Sequence, residues 1–127
     1  MKATFLHIVW TSLAGWLFLS GNTVKVVSMP QLQVLAEKQK NDTLYVVNFW
    51  ATWCKPCVAE MPIFIEADKK YKTQKVKVLF VSLNSTKELP KVQLFVDNKN
   101  IQNPVYLLDA GNPNDWIDKV EDRKSVV

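Results

Sequence analysis

The chain has 127 residues, enough for one hydrophobic core, with 48% hydrophobic residues, 16 basic and 12 acidic side chains, a formal charge of +4 and one histidine. Two cysteines and His7 are too few for a four-ligand structural zinc site, and the sequence holds no internal repeat, low-complexity tract or phosphate-binding glycine loop. The lysines are dispersed except at Lys69, Lys70, Lys72, Lys75 and Lys77. A helix C-terminus and a solvated strand edge explain that cluster at least as well as nucleic acid does, so no nucleic-acid partner is expected.

Lys2 precedes an apolar stretch from Phe5 to Leu19 that contains His7, lacks acidic residues and is short for a membrane span. Residues 1–21 therefore read as a secretory signal, with an uncleaved anchor as the alternative and membrane attachment expected only in that case. Small residues at Ser20, Gly21 and Ser28 give no clean A-x-A cleavage pattern. Residues 22–127 are then the folded domain, facing an oxidising compartment.

Val24 to Val27 reads as a short strand, and Ser28-x-x-Gln31 as a capping box opening a helix to about Lys40, its buried side formed by Leu32, Leu35 and Ala36. Asn41-Asp42 turns the chain into Leu44 to Trp50. This nearly continuous apolar run has the composition of a central strand covered on both faces. The period then changes. Val58, Met61, Ile65 and Asp68, with a second row of Ala59, Ile63, Phe64 and Ala67, give helical spacing to about Lys72. Val76 to Leu83 is a second apolar strand, Ser85-x-x-Glu88 caps a helix carrying Leu89, Val92, Phe95 and Val96, and Val105 to Leu108 is a third strand. Asn114 caps a last helix, Asp115 to Val120. Alternating strands and helices predict an α/β fold with a partly parallel sheet. The sequons Asn41-Asp42-Thr43 and Asn84-Ser85-Thr86 read as turn and capping chemistry.

Between the strand ending at Trp50 and the following helix lies Trp53-Cys54-Lys55-Pro56-Cys57. Cys54 falls at or just before the first helical turn, where backbone N–H groups lack intrahelical partners and the macrodipole is positive, so its thiolate is favoured and its pKa lowered. Cys57 lies one turn deeper on the same side, placed to attack a mixed disulfide formed at Cys54. Lys55 adds positive charge, and Pro56 sits where its missing N–H costs nothing. The blander readings are half a zinc site, a structural disulfide closing a loop too small to restrict the unfolded chain much, and a peroxidase-type cysteine preceded by Thr52. The last needs a nearby cation, and the one arginine is Arg123.

The segment from Phe49 to Pro62 resembles the active-site segment of thioredoxin-like proteins, and within them is most similar to the TlpA/ResA-like extracytoplasmic thiol–disulfide oxidoreductases. The resemblance implies a thioredoxin-like fold, with Cys54 as nucleophile, Cys57 as resolving cysteine, and Trp53, Lys55 and Pro56 flanking them. It also matches Pro62 to a proline that kinks the active-site helix. It implies no cofactor beyond the redox-active cysteine pair and no metal. Its partners would be protein disulfides and an upstream thiol reductant in the periplasm. Thioredoxins carry a buried aspartate where this chain has Asn48, whereas ResA-like proteins carry a glutamate at the position of Glu60. Glu60 then reads either as the proton acceptor for Cys57 or as an acidic residue favoured by the helix dipole, with equal weight.

The resemblance covers residues 22 to about 120 and includes Asn112 to Asp118. Family members continue into a cis-proline loop, a hairpin and a last helix, where this sequence ends with Glu121 to Val127. The expectation is a C-terminally truncated member, with Pro104 as the alternative cis-proline and the strand Leu44 to Trp50 left as an exposed apolar edge. Three functions follow: a thiol–disulfide oxidoreductase, a peptide-binding module using Trp53 and Pro56, or an inactive remnant.

Overall fold

A computed structural model describes residues 21–37 and 42–111. The signal segment apart from Gly21, the helix expected at Asp115 to Val120 and the residues that follow it lie outside the described residues. The elements are β1 (Lys25–Ser28), α1 (Met29–Glu37), β2 (Leu44–Trp50), α2 (Lys55–Lys70), β3 (Val76–Ser82), α3 (Leu89–Asn98) and β4 (Val105–Asp109), with short 3₁₀ turns at Lys72–Gln74 and Thr86–Glu88. The α/β expectation holds. The four described strands form one sheet in the order β1-β4-β3-β2, every pair parallel.

Side-chain alternation along the strands assigns the two faces. Val46, Trp50, Val78, Phe80, Val105 and Leu107 point to one face, where α2 supplies Met61 and α3 supplies Val92 and Val96. Val47, Phe49, Val81, Tyr106 and Leu108 point to the other, under Leu32 and Leu35 of α1. The connections through α2 and α3 step across the sheet in one direction, and the connection through α1 returns across it. Right-handed crossovers therefore put α1 on the face opposite α2 and α3.

The capping box at the start of α1 forms as expected: Ser28 N–H donates to Gln31 Oε1 at 2.8 Å, and Gln31 N–H reaches Ser28 Oγ at 3.5 Å. Three expectations need correction. The apolar run at Leu44 is an edge strand among the described strands, in line with the exposed apolar edge also anticipated for it and not the central strand its composition suggests; Leu44 is 52% exposed, and β3, paired on both sides, is the buried strand. Composition alone does not rank two apolar runs, because position in a sheet is set by which neighbours each strand finds. Ser85 makes no side-chain cap: it precedes the 3₁₀ turn, and α3 starts one turn later with Glu88 at its N-cap. The peptide before Pro104 is trans, and the Pro104 carbonyl accepts the Phe80 N–H at 3.0 Å in the β3–β4 ladder.

β4 begins level with Phe80, so the first half of β3 extends beyond it. Val78, two residues earlier, aims its N–H to the same side, where β4 offers no carbonyl. Asp68 in the last turns of α2 accepts that N–H at 2.7 Å and ties the helix to the sheet. Val78 is buried, so a lost partner leaves an unsatisfied donor. Asp68→Ala should cost about 1–3 kcal/mol in denaturant unfolding. Asp68→Asn, which keeps an acceptor oxygen, should recover most of that loss.

Candidate active site

Trp50 ends β2 fully buried, its ring 5.0 Å from that of Phe95, and its carbonyl accepts the Leu83 N–H at 2.8 Å. The chain then turns: Cys54 N–H donates to the Ala51 carbonyl at 3.0 Å, which places Cys54 in extended conformation as the N-cap of α2. The Cys54 carbonyl accepts the Val58 N–H at 3.0 Å, opening the helical ladder, and Pro56 lies in the first turn. No acidic side chain occupies that turn, so the positive end of this 16-residue helix faces Cys54 without an opposing carboxylate of its own.

Cys54 and Cys57 form a disulfide with their Cα atoms 5.3 Å apart. Cys57 packs against the core cluster of α2, α3 and the sheet. Around the pair, Trp53 is 66% exposed, and Lys55, Pro56 and Glu60 are exposed. Glu60 follows Cys57 by one turn, as its spacing predicted, and Pro62 lies inside α2, which continues through it. Asn48 sits mid-strand in β2; its Oδ1, like Trp50 Nε1, is buried with no hydrogen-bond partner among the described residues.

One residue absent from the expected site is held against it. Asn84, 2% exposed, lies just beyond β3. Its Oδ1 accepts the Thr52 N–H at 2.9 Å and the Ser82 hydroxyl at 2.9 Å, while its Nδ2 donates to Thr52 Oγ1 at 2.8 Å and Glu88 Oε2 at 3.1 Å. The reason is the register: Trp50 and Ser82, the last residues of β2 and β3, pair, so the chain two residues past each strand end lies side by side. The sequon reading of Asn84 as turn chemistry caught its polarity and missed its partner. The sequence signal was a polar residue directly after the largely apolar run Val76 to Leu83.

Glu88 also holds Lys91 Nζ at 3.0 Å. The Asn84 amide first, and the Lys91 ammonium after it, hold the Glu88 carboxyl below its ordinary range, against a smaller upward push from burial. A depressed carboxylate stabilises the fold above its unfolded-state value and loses that contribution as pH falls through the folded one. A groove of ≈ 460 Å³ lined by Asn22, Val96, Asp97, Asn100 and Ile101 includes no residue of the cysteine motif.

Comparison with known proteins agrees with this geometry. The Redoxin family model matches residues 15–114. A thiol-disulfide oxidoreductase ResA of Oceanobacillus iheyensis is 42% identical over 60 residues, covering 47% of this chain and 30% of the relative. The thioredoxin-like protein YneN of Bacillus subtilis is 36% identical over 72 residues, 56% of this chain and 42% of the relative. A Bacillus cereus ResA is 39% identical over 65 residues, 51% of this chain and 36% of the relative. The matched segments thus span less than half the length of these relatives. With a family match over most of the chain, a parallel sheet between helices and a cysteine pair at the strand–helix junction, the chain belongs to the Redoxin family and is a TlpA/ResA-like member of the thioredoxin superfamily.

Proposed function

We propose that the chain exchanges thiols and disulfides with proteins outside the cytoplasm. The observation that carries this reading is the Cys54–Cys57 disulfide at the N-terminus of α2. In the reduced protein the Cys54 thiolate attacks one sulfur of a substrate disulfide. A mixed disulfide forms, and the other substrate sulfur leaves as a thiolate that takes up a proton. Cys57 then gives up its proton and attacks Cys54 Sγ, which restores the Cys54–Cys57 bond and releases the second substrate thiol. Two electrons pass to the substrate, and an upstream thiol reductant returns the pair to the dithiol.

Glu60, one turn after Cys57, takes the Cys57 proton in this scheme. Trp53 and Pro56, both exposed beside Cys54, present an apolar surface to the substrate peptide, and Lys55 adds charge that favours the thiolate. No metal or further cofactor takes part. Placement outside the cytoplasm follows from the apolar segment Phe5 to Leu19, with 1–21 as signal or anchor; no helix among the described residues is long and apolar enough to cross a membrane.

The exposure of Trp53 also favours a second reading, a module that holds peptides without turnover. Replacing both cysteines by serine separates the two: a pure binder keeps its affinity, and an exchanger loses all transfer.

Titrating the full chain in glutathione or dithiothreitol buffers, with the oxidised fraction read by thiol labelling, should give one reversible two-electron transition with a slope of about 30 mV per decade. Cys54→Ser should abolish it. Absence of the transition in the unaltered chain would remove the exchange reading. Glu60→Gln should slow the Cys57 step by roughly 10²-fold, the lower end of what a positioned base contributes, with folding little changed. An unaltered pH profile for that step would take the proton-acceptor role away from Glu60.

A further inference from the structure

Asn84 fills every hydrogen-bonding position of its amide: two acceptor contacts at Oδ1 and two donor contacts at Nδ2. Two of these four go to Thr52, one to its backbone and one to its side chain. The other two fix which way the amide faces. The Ser82 hydroxyl, itself on a fully buried residue, donates to Oδ1, and the Glu88 carboxylate takes a hydrogen from Nδ2. Turned over, the amide would set its oxygen against that carboxylate and its NH₂ against the Thr52 N–H. Glu88 is in turn held by Lys91.

Thr52 lies inside the turn Ala51–Cys54, two residues before Cys54. Apart from Asn84, that turn and its approach are held by Cys54 N–H to the Ala51 carbonyl and Leu83 N–H to the Trp50 carbonyl, and Cys54 itself is tied to α2 by the Val58 N–H on its carbonyl. In the oxidised protein the bond to Cys57 also restrains Cys54. Reduction removes that restraint at the moment the thiol has to react.

We infer that Asn84 is a positioning residue for Cys54: by gripping Thr52 at two points it holds the turn that sets the Cys54 thiol against the N-terminus of α2 in the reduced protein. This deepens the exchange reading and rests on it, because only a reacting thiol gives the grip a functional consequence. Asn84 touches neither cysteine; it acts through Thr52.

The test is the rate at which iodoacetamide alkylates Cys54 in the reduced full chain across pH, read by peptide mass, beside thermal melts of the same proteins. Asn84→Ala should slow alkylation at neutral pH by about tenfold or more, in line with the sensitivity of such steps to sub-ångström and ångström displacements, and should move the midpoint of the profile upward. Thr52→Ala, which loses the side-chain contact and keeps the backbone one, should fall between it and the unaltered chain. Leu32→Ala, on the buried side of α1 over the opposite face of the sheet, serves as a destabilised control and should lower the melting temperature while leaving the profile in place. If Asn84→Ala fails to fold, Thr52→Ala alone decides. An unchanged profile in the Asn84 and Thr52 variants, or an equal change in Leu32→Ala, would reduce Asn84 to a structural residue and overturn the inference. Alkylation needs no turnover, so a chain without a reversible dithiol transition would sink the exchange reading while leaving this comparison intact.

Discussion

The parallel pairing of β2 with β3, which sets Trp50 beside Ser82, is the constraint on which the site depends. Parallel neighbours end on the same side of the sheet, so the loops leaving their carboxyl ends lie together. Open α/β sheets gather ligands at that edge for the same reason. One loop carries the cysteines into α2 and the other carries Asn84. Shifting the register by one residue would turn every β2 side chain to the opposite face and separate Thr52 from Asn84. The site is therefore specified as much by the burial of Val46, Trp50, Val78 and Phe80 as by its own polar groups.

Magnitudes indicate which forces hold the turn. Ordering the backbone of Ala51, Thr52 and Trp53 costs roughly 3–6 kcal/mol at about 1–2 kcal/mol per residue. The four hydrogen bonds that hold this stretch, two from backbone groups and two from Asn84, return about 1 kcal/mol each. These sums are close enough for the Asn84 pair to matter to the conformation of the turn. The helix dipole acts separately, on charge: about 0.3–1 kcal/mol at exposed positions and up to about 2 kcal/mol where partly buried. It favours thiolate over thiol but orients nothing by itself.

Much of this was legible in the sequence, and the misses share a cause. The limits of β2 and the start of α2 beside Cys54 follow from a change of hydrophobic period, a local signal, and the capping box at Ser28 is local too. The position of β2 at the edge of the described sheet was anticipated only through the family resemblance; it depends on pairing between segments some thirty residues apart, and by composition the apolar run from Leu44 to Trp50 looks like a central strand whichever neighbour it finds. The Ser85 pattern misled because Ser-x-x-Glu fits a capping box equally well when the glutamate is engaged elsewhere, and Glu88 is engaged by Asn84 and Lys91. The cysteine motif could be read because its chemistry lies within five residues. The support for that motif could not, because Thr52 and Asn84 meet only through the sheet.

Packing also gives the two cysteines an order under the proposed exchange. Both cysteines are half-buried, but Cys57 packs against the cluster beneath α2 and α3, whereas Cys54 is not part of that packing and lies next to exposed Trp53, Lys55 and Pro56. In the proposed exchange a substrate disulfide arriving from solvent meets Cys54 first, because the packing of Cys57 against the cluster narrows the approach from its side. Cys57 needs no such access, since its target is Cys54 Sγ, one turn away. This division suits the differing demands on the two thiols: the first must ionise readily and face solvent, and the second must stay protonated until a mixed disulfide exists. A base for the second proton is useful only if it reaches Cys57 without crowding Cys54. In the proposed exchange that base is Glu60, exposed one turn further along α2, because i and i+3 positions share a helix face.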